Sequence, residues 1–274
     1  MTHKGGWLMA TIGLEALALV ASGSFDEKAG KDVLESPPTE EQSLETWREP
    51  VTGMEFVRIR LGEFMIGSEY EDSYQKPMNE RPVHKVSLDG FWLARYEVTE
   101  AQWKAVMRKL PAYCKHRGDD HPVENVSWKA AQEFIRRLNK AGEANFRLPT
   151  EAEWEYACRA GTTEDRYGEL NEIAWYRENS SGSAHAVGLK RPNAWGLYDM
   201  LGNVSEWVQD WFGEYASAPE RNPQGPTRPS GGPLKVDRGG SYSSEASSVR
   251  ASTRGGAHWR INEFIVVGLR LARD

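Results

Sequence analysis

The sequence predicts an α+β fold with little regular secondary structure. Three observations carry this: three segments with helical apolar spacing that bring their own N-terminal caps, several short strand-like runs around them, and a long stretch, residues 161–240, that mostly follows neither period. A stretch of that kind inside a compact domain needs something other than backbone ladders to order it.

Residues 55–60, 64–66, 84–88 and 91–96 read as strands, and 266–271 as another near the end. The first helix opens on Thr99-Glu100-Ala101-Gln102, a capping box in which the threonine hydroxyl takes a first-turn N–H and the glutamine reaches back. Trp103, Val106, Met107 and Leu110 mark its apolar face. The second helix starts near Ser127, turns Trp128, Ala131, Phe134, Ile135 and Leu138 inward, and stops at Gly142. In the third, Thr150-Glu151-Ala152-Glu153 repeats the box and Trp154, Ala157 and Cys158 share a face.

Composition bounds the partners. A formal net charge of −6 over 274 residues gives no global basic field for nucleic acid or anionic lipid. Two cysteines, Cys114 and Cys158, are too few for a disulfide scaffold, and the sequence leaves open one bridge or two free thiols. Residues 1–24 follow the plan of an export signal: His3 and Lys4, an apolar run from Trp7 to Val20, then small residues through Ser24. Glu15 opposes insertion, and the other reading is a short amphipathic helix packed on the domain. The expectation is a periplasmic or secreted protein without a stable membrane span. Residues 25–50 are polar and acidic and read as a linker; 51–274 reads as one domain without a fixed internal repeat.

The densest polar constellation runs from Asn193 to Trp207 and holds Asp199, Gly202, Asn203 and Glu206. Carboxylate and loop-carbonyl oxygens at that density suit Ca²⁺. The competing reading is that Asn203 and Glu206 cap a turn. Cys114, His116 and His121 lie in a polar loop and read as solvated surface, while His84, His185 and His258 stand alone. No Ser/His/Asp order, phosphate loop or zinc-protease helix is present, and Gly239-Gly240-Ser241 reads as a tight turn.

Together these segments resemble one family. The series is Phe64-Met-Ile-Gly67-Ser68, Glu80-Arg-Pro-Val-His84, Glu97-Val-Thr99, Pro122-Val-Glu-Asn-Val-Ser127-Trp128, Arg147-Leu-Pro149-Thr150-Glu151-Ala-Glu153-Trp154-Glu155-Tyr156-Ala, Asn193 through Trp207, Arg238-Gly-Gly-Ser241-Tyr242 and Gly268-Leu-Arg270. In order and spacing, over residues 51–274, it is similar to the formylglycine-generating enzyme, or sulfatase-modifying factor, family. The resemblance implies a calcium-stabilised variant of the C-type-lectin fold. It places one ion on Asp199, Glu206 and the carbonyls of Gly202 and Val204. A second would fall near Ile173, Ala174, Asn179 and Ser181, with Asn179 where the family often has aspartate.

Active members use two cysteines shortly after the Gly-Gly-Ser-aromatic turn to bind copper(I), which prefers soft thiolates. No cysteine follows Cys158 here, and the ungapped motif puts Ser244 and Val249 at the two thiol positions. Copper and formylglycine-generating oxidation are therefore not expected. Two functions remain: a maturation or tailoring factor that oxidatively modifies a secreted peptide or a metabolite such as a siderophore, comparable to the family's periplasmic pyoverdine branch, or a non-catalytic lectin-like binding module, diversified variable proteins included. Either would use a groove for a small molecule or peptide near 239–259, where Ser244, Glu245, Arg250, Arg254, His258 and Trp259 are candidates. Arg250 and Arg254 are expected either to present two guanidinium groups to a carboxylate or to pair with internal acids. Glu245 with His258 is a candidate acid–base pair.

Overall fold

Capped helices and aromatic-rich strands set the frame of the computed structural model, which describes residues 44–69, 78–115, 117–142, 144–229, 232–260 and 266–274. The export-signal reading, most of the linker and His116 lie outside the described residues. In chain order the elements are β1 (Thr46–Arg48), β2 (Glu55–Ile59), β3 (Gly62–Ile66), β4 (His84–Leu88), β5 (Phe91–Ala94), α1 (Glu100–Met107), α2 (Trp128–Ala141), β6 (Phe146–Arg147), α3 (Glu151–Arg159), α4 (Leu170–Ile173), β7 (Ser205–Trp211), β8 (Glu220–Arg221), β9 (Leu234–Arg238), β10 (Arg254–His258), β11 (Val267–Leu269) and β12 (Ala272–Arg273). They form a sheet of order β1-β2-β5-β12-β6, a second of order β10-β9-β7-β11 and a third of order β3-β4-β8. Among the described residues no helix is long and apolar enough to cross a membrane.

The compact unit spans Ser43–Asp274 and so takes in residues that composition assigned to the linker. β1 is an edge strand with exposed flanking residues, which is why it reads as polar. Trp47 nevertheless packs 5.6 Å from Phe56 and 6.1 Å from Phe146, ring centre to ring centre, and fixes β1 to the sheet.

The three expected helices form with the expected caps. Thr99 and Thr150 each complete a capping box, with Gln102 and Glu153 respectively, and Ser127 Oγ accepts from Ala130 N–H. α1 and α2 meet through Trp103 and Phe134, whose rings stack at 5.1 Å. Helix α3 is buried along its whole length although it carries three glutamates and an arginine. Each acid has a cationic partner. Glu151 takes Arg254 at 2.6 and 2.8 Å, Glu153 takes Arg147 at 2.6 and 2.8 Å, and Glu155 takes Arg159 at 2.9 Å together with Arg238. Arg238 also donates to the carbonyls of Ala251, Ser252 and Thr253, which ties the chain before β10 to the helix. From β7, Asp210 Oδ2 accepts from Glu151 N–H at 2.9 Å, in the first turn of α3.

Strands β7, β9 and β10 were not expected from the sequence. β7 is buried on both faces, with Trp207 donating its indole N–H to Val126 O at 2.6 Å, so it lacks an alternating pattern. β9 carries Lys235, Asp237 and Arg238. Lys235 is accommodated because its ammonium lies 4.2 and 3.9 Å from the Trp128 and Trp211 rings and donates to Gln209 O at 2.7 Å.

Two outcomes are expected. Glu155→Gln leaves Arg238 largely uncompensated in the interior and costs about 3 kcal/mol in denaturant unfolding, at the low end for a broken buried pair because Glu151 Oε1 lies 3.4 Å away; a loss under about 1 kcal/mol would show that the pair does not organise α3. Burial, followed by the charge of Glu151, pushes Asp210 up to about 8. A carboxyl raised in the folded state stabilises below its unfolded pKa, and that contribution is lost as pH rises through the folded value. Stability therefore declines between about pH 4 and pH 8 through this group. Asp210→Asn keeps an acceptor for Glu151 N–H and flattens the decline, read as Tm against pH.

Candidate functional site

The loop that leads into β7 gathers three carboxylates around one arginine. It turns through left-handed backbone at Asp199, Gly202 and Asn203. Gly202 is required there: a Cβ would lie 2.3 Å from Trp175 O. Asn203 spans the turn, its carbonyl accepting from His185 N–H at 2.9 Å and its amide donating to Glu97 Oε2 at 2.7 Å. Glu97 Oε1 accepts from Val204 N–H at 3.0 Å. Asp199 Oδ2 accepts from Gly188 N–H at 2.7 Å, while its Oδ1 is buried with no hydrogen-bond partner.

Glu206 was expected as a calcium ligand, and the structure gives it other work. Both of its oxygens accept from Arg270, at 2.7 to 3.0 Å, and Trp154 Nε1 donates to Oε2 at 2.7 Å. Arg270 also donates to Ala94 O and Tyr198 O. One buried guanidinium thus faces three buried acids. Burial first, then the charges of Asp199 and Glu206, push Glu97 well above the usual carboxylate range. Burial, with Glu206 adding, raises Asp199 to about 6. Among the described residues no group of three or more His, Cys, Asp or Glu side chains is arranged to hold a metal ion by itself. The orphaned Asp199 oxygen and the surplus of acid still fit a hard cation that takes its remaining oxygens from loop carbonyls such as those of Gly202 and Val204. Sequence reasoning gave Glu97 no role; an acid directly before an apolar residue and a helix cap is the signal it offers.

The second expected ion site is arranged differently. Asn179 Nδ2 donates to Ala174 O at 3.0 Å and its Oδ1 accepts from Tyr176 N–H at 2.9 Å. The amide places a donor where a cation would need an acceptor, so this turn closes on itself. Ile173 is in the core and Ser181 is exposed in a left-handed turn.

The 239–259 segment also departs from expectation. Arg250 pairs with Glu80 at 2.7 and 3.0 Å, and Arg254 with Glu151, so both buried guanidinium groups are engaged by internal acids. Glu245 and His258 do not pair with each other: Glu245 binds Arg177 at 2.7 Å, and His258 Nδ1 accepts from Arg260 N–H at 3.3 Å. Ser244 Oγ accepts from Ser241 N–H at 2.9 Å and closes its own turn. What faces outward is Ser243, Glu245 and the Arg177 that bonds to both of them.

Comparison with known proteins decides the family. The model of the sulfatase-modifying factor enzyme 1-like domain matches residues 42–274. This chain belongs to the sulfatase-modifying factor family. It is 30% identical to the formylglycine-generating enzyme of Streptomyces coelicolor over 254 residues, covering 68% of this chain and 78% of that enzyme. It is 33% identical to the serine/threonine-protein kinase pkn1 of Chlamydia pneumoniae over 231 residues, 73% of this chain, but spans only 35% of that protein. Treponema denticola variable protein 1 superposes with a TM-score of 0.72 at 27% identity, covering 84% of this chain and 98% of that one. PvdO from Pseudomonas aeruginosa superposes with a TM-score of 0.74 at 24% identity and the same coverage, a likeness of fold.

Ser244 and Val249, where the resemblance was expected to place the two thiol positions, both lie beside Gly240. A Cβ built there would lie 3.3 Å from Val249 Cγ2 and 3.4 Å from Ser244 Oγ. Val249 is fully buried in the core. Both cysteines of the chain are free and distant from this point in sequence. Burial pushes the Cys158 thiol far up and raises Cys114 to about 11. A thiol-reactive disulfide reagent is expected to modify Cys114 slowly and Cys158 only after unfolding; rapid stoichiometric reaction of the native protein would overturn this assignment.

Proposed function

We propose that this chain is an exported accessory member of its family that orders its loops around calcium and binds a peptide or small-molecule client, and that it does not generate formylglycine. The observation that carries the reading is that Ser244 and Val249 stand beside Gly240 at the positions where the resemblance would put the two thiols. Copper(I) chemistry at that point needs soft ligands, which a hydroxyl engaged in its own turn and a buried isopropyl group do not supply. The binding role is favoured over catalysis because Arg250 and Arg254 are internal and Glu245 and His258 have separate partners. The outward face formed by Ser243, Glu245 and Arg177 is the proposed client surface.

The proposed ion is one calcium, held by Asp199, by Glu97 as a neighbouring carboxylate, and by the carbonyls of Gly202 and Val204. It would neutralise the surplus of buried acid and stabilise the loop without taking part in chemistry. Export rests on the composition of residues 1–24. A second reading, an oxidative tailoring factor for a peptide or siderophore-like metabolite, is supported by the 78% coverage of the Streptomyces coelicolor enzyme.

Calcium at about 100 times its Kd should stabilise the protein by about 2.7 kcal/mol, chelator should reverse this, and Asp199→Asn should lose most of the response. A purified protein without stoichiometric copper, and without oxygen consumption on a cysteine peptide, is the expected result. Copper binding with peptide oxidation would refute the central claim. Metabolite profiling of a deletion strain separates the two readings, since loss of one oxidised product favours tailoring.

A further inference from the structure

A cavity of about 250 Å³ lies beside the first turn of α3, lined in part by the loop around residues 214–226 and by His84 of β4. Ile66, Pro223 and Pro226 give it apolar walls, and Asp210, Glu214 and Glu220 give it acidic ones. Its volume lies below the range that drug-sized ligands occupy, which suits a small fragment or a single side chain.

Asp210 distinguishes this cavity from an ordinary acidic surface. The residue is 4% exposed. Its Oδ2 is committed to Glu151 N–H, and no hydrogen bond from a described residue reaches its Oδ1. Gly225 packs closely against one side of this carboxylate: a Cβ there would lie 2.7 Å from Oδ1 and the φ of 66° is left-handed, so glycine is required, and both residues line the cavity. The other acid on the inner wall, Glu151, is already neutralised by Arg254. Glu220 reaches the cavity with Oε2 3.3 Å from His84 Nε2.

We propose that this cavity binds a primary alkylammonium group, the head of a small amine or of a lysine side chain. The ammonium is held by Asp210 Oδ1 and Glu220, and the alkyl stem lies along Ile66, Pro223 and Pro226. The donor geometry favours ammonium over guanidinium. A guanidinium gains most from a carboxylate with both oxygens available, and Asp210 has one; an ammonium is a compact charge with three rotatable donors. Burial first, then the charges of Glu151 and Glu153, hold Asp210 up and Lys235 opposes them, while Glu214, Glu220, His84 and Arg254 also line the cavity, so a bound cation completes the local charge balance. The inference is independent of the calcium and client readings, because the cavity meets the 239–259 segment only at Arg254.

The test is an NMR titration of the ¹⁵N-labelled full chain at about pH 8.5, where an alkylamine is still protonated. The probes are n-butylamine, Nα-acetyl-lysine amide and, as the uncharged comparison, n-butanol. Saturable shifts of the Ala152, Ala216 and Gly225 amides with an amine but not with butanol are expected. Response to butylamine alone identifies a free amine as the ligand, and an equal response to the lysine amide identifies a side chain. Asp210→Asn, which keeps the acceptor for Glu151 N–H, should weaken binding about tenfold, as loss of a charge-assisted hydrogen bond does. Glu220→Gln, at a partly exposed position outside the core, should weaken it independently. No saturable shift, shifts centred elsewhere, equal affinity for butanol, or affinities unchanged in both variants would each overturn the proposal.

Discussion

The structure depends on the pairing of buried acids and arginines around α3. A helix carrying Glu151, Glu153, Glu155 and Arg159 can be buried along its length only because Arg147, Arg238 and Arg254 arrive from other elements to meet it. Removing one partner strands a charge in low dielectric, so the network works as a set of mutual constraints more than as a sum of attractions. It also fixes chain path. Arg238 and Arg254 belong to β9 and β10, and their bonds to the helix and to nearby carbonyls hold the 239–254 turn in place where backbone ladders do not.

The same economy of charge explains the loop before β7. There the acids outnumber the cations: Glu97, Asp199 and Glu206 share Arg270. Glu206 is satisfied by it, and the other two carry the electrostatic cost as raised pKa values. A neutral amide does the ordering in the 173–181 turn, where Asn179 bonds both ways along the backbone. Two turns of one domain thus meet the same need, one with an unbalanced carboxylate and the other with an amide that balances itself.

The helices were legible because their signals are local. Thr99, Ser127 and Thr150 act within one turn of themselves, and the apolar faces of α1 and α2 follow from spacing alone. β7 was hidden by burial on both faces, and β9 by Lys235, whose charge is tolerated only between Trp128 and Trp211. β1 was hidden by the polarity of an edge strand, until Trp47 is seen against Phe56 and Phe146. At the candidate site, Asp199 and Gly202 were visible as a carboxylate and a turn glycine. Glu97, more than a hundred residues earlier in the chain, became part of that site only through Asn203 and Val204.

By itself the sequence determined the family, the α+β class, the three helix starts and the absence of cysteine beyond Cys158, since each is written in residue identity and short-range spacing. The tertiary structure decided what the charged residues do. Arg250 and Arg254 lie four apart in a segment expected to form a ligand groove, and nothing local reveals that Glu80 and Glu151 lie within hydrogen-bond reach of them. An ion pair depends on which distant chains meet and on how little water reaches them. Sequence spacing carries neither quantity.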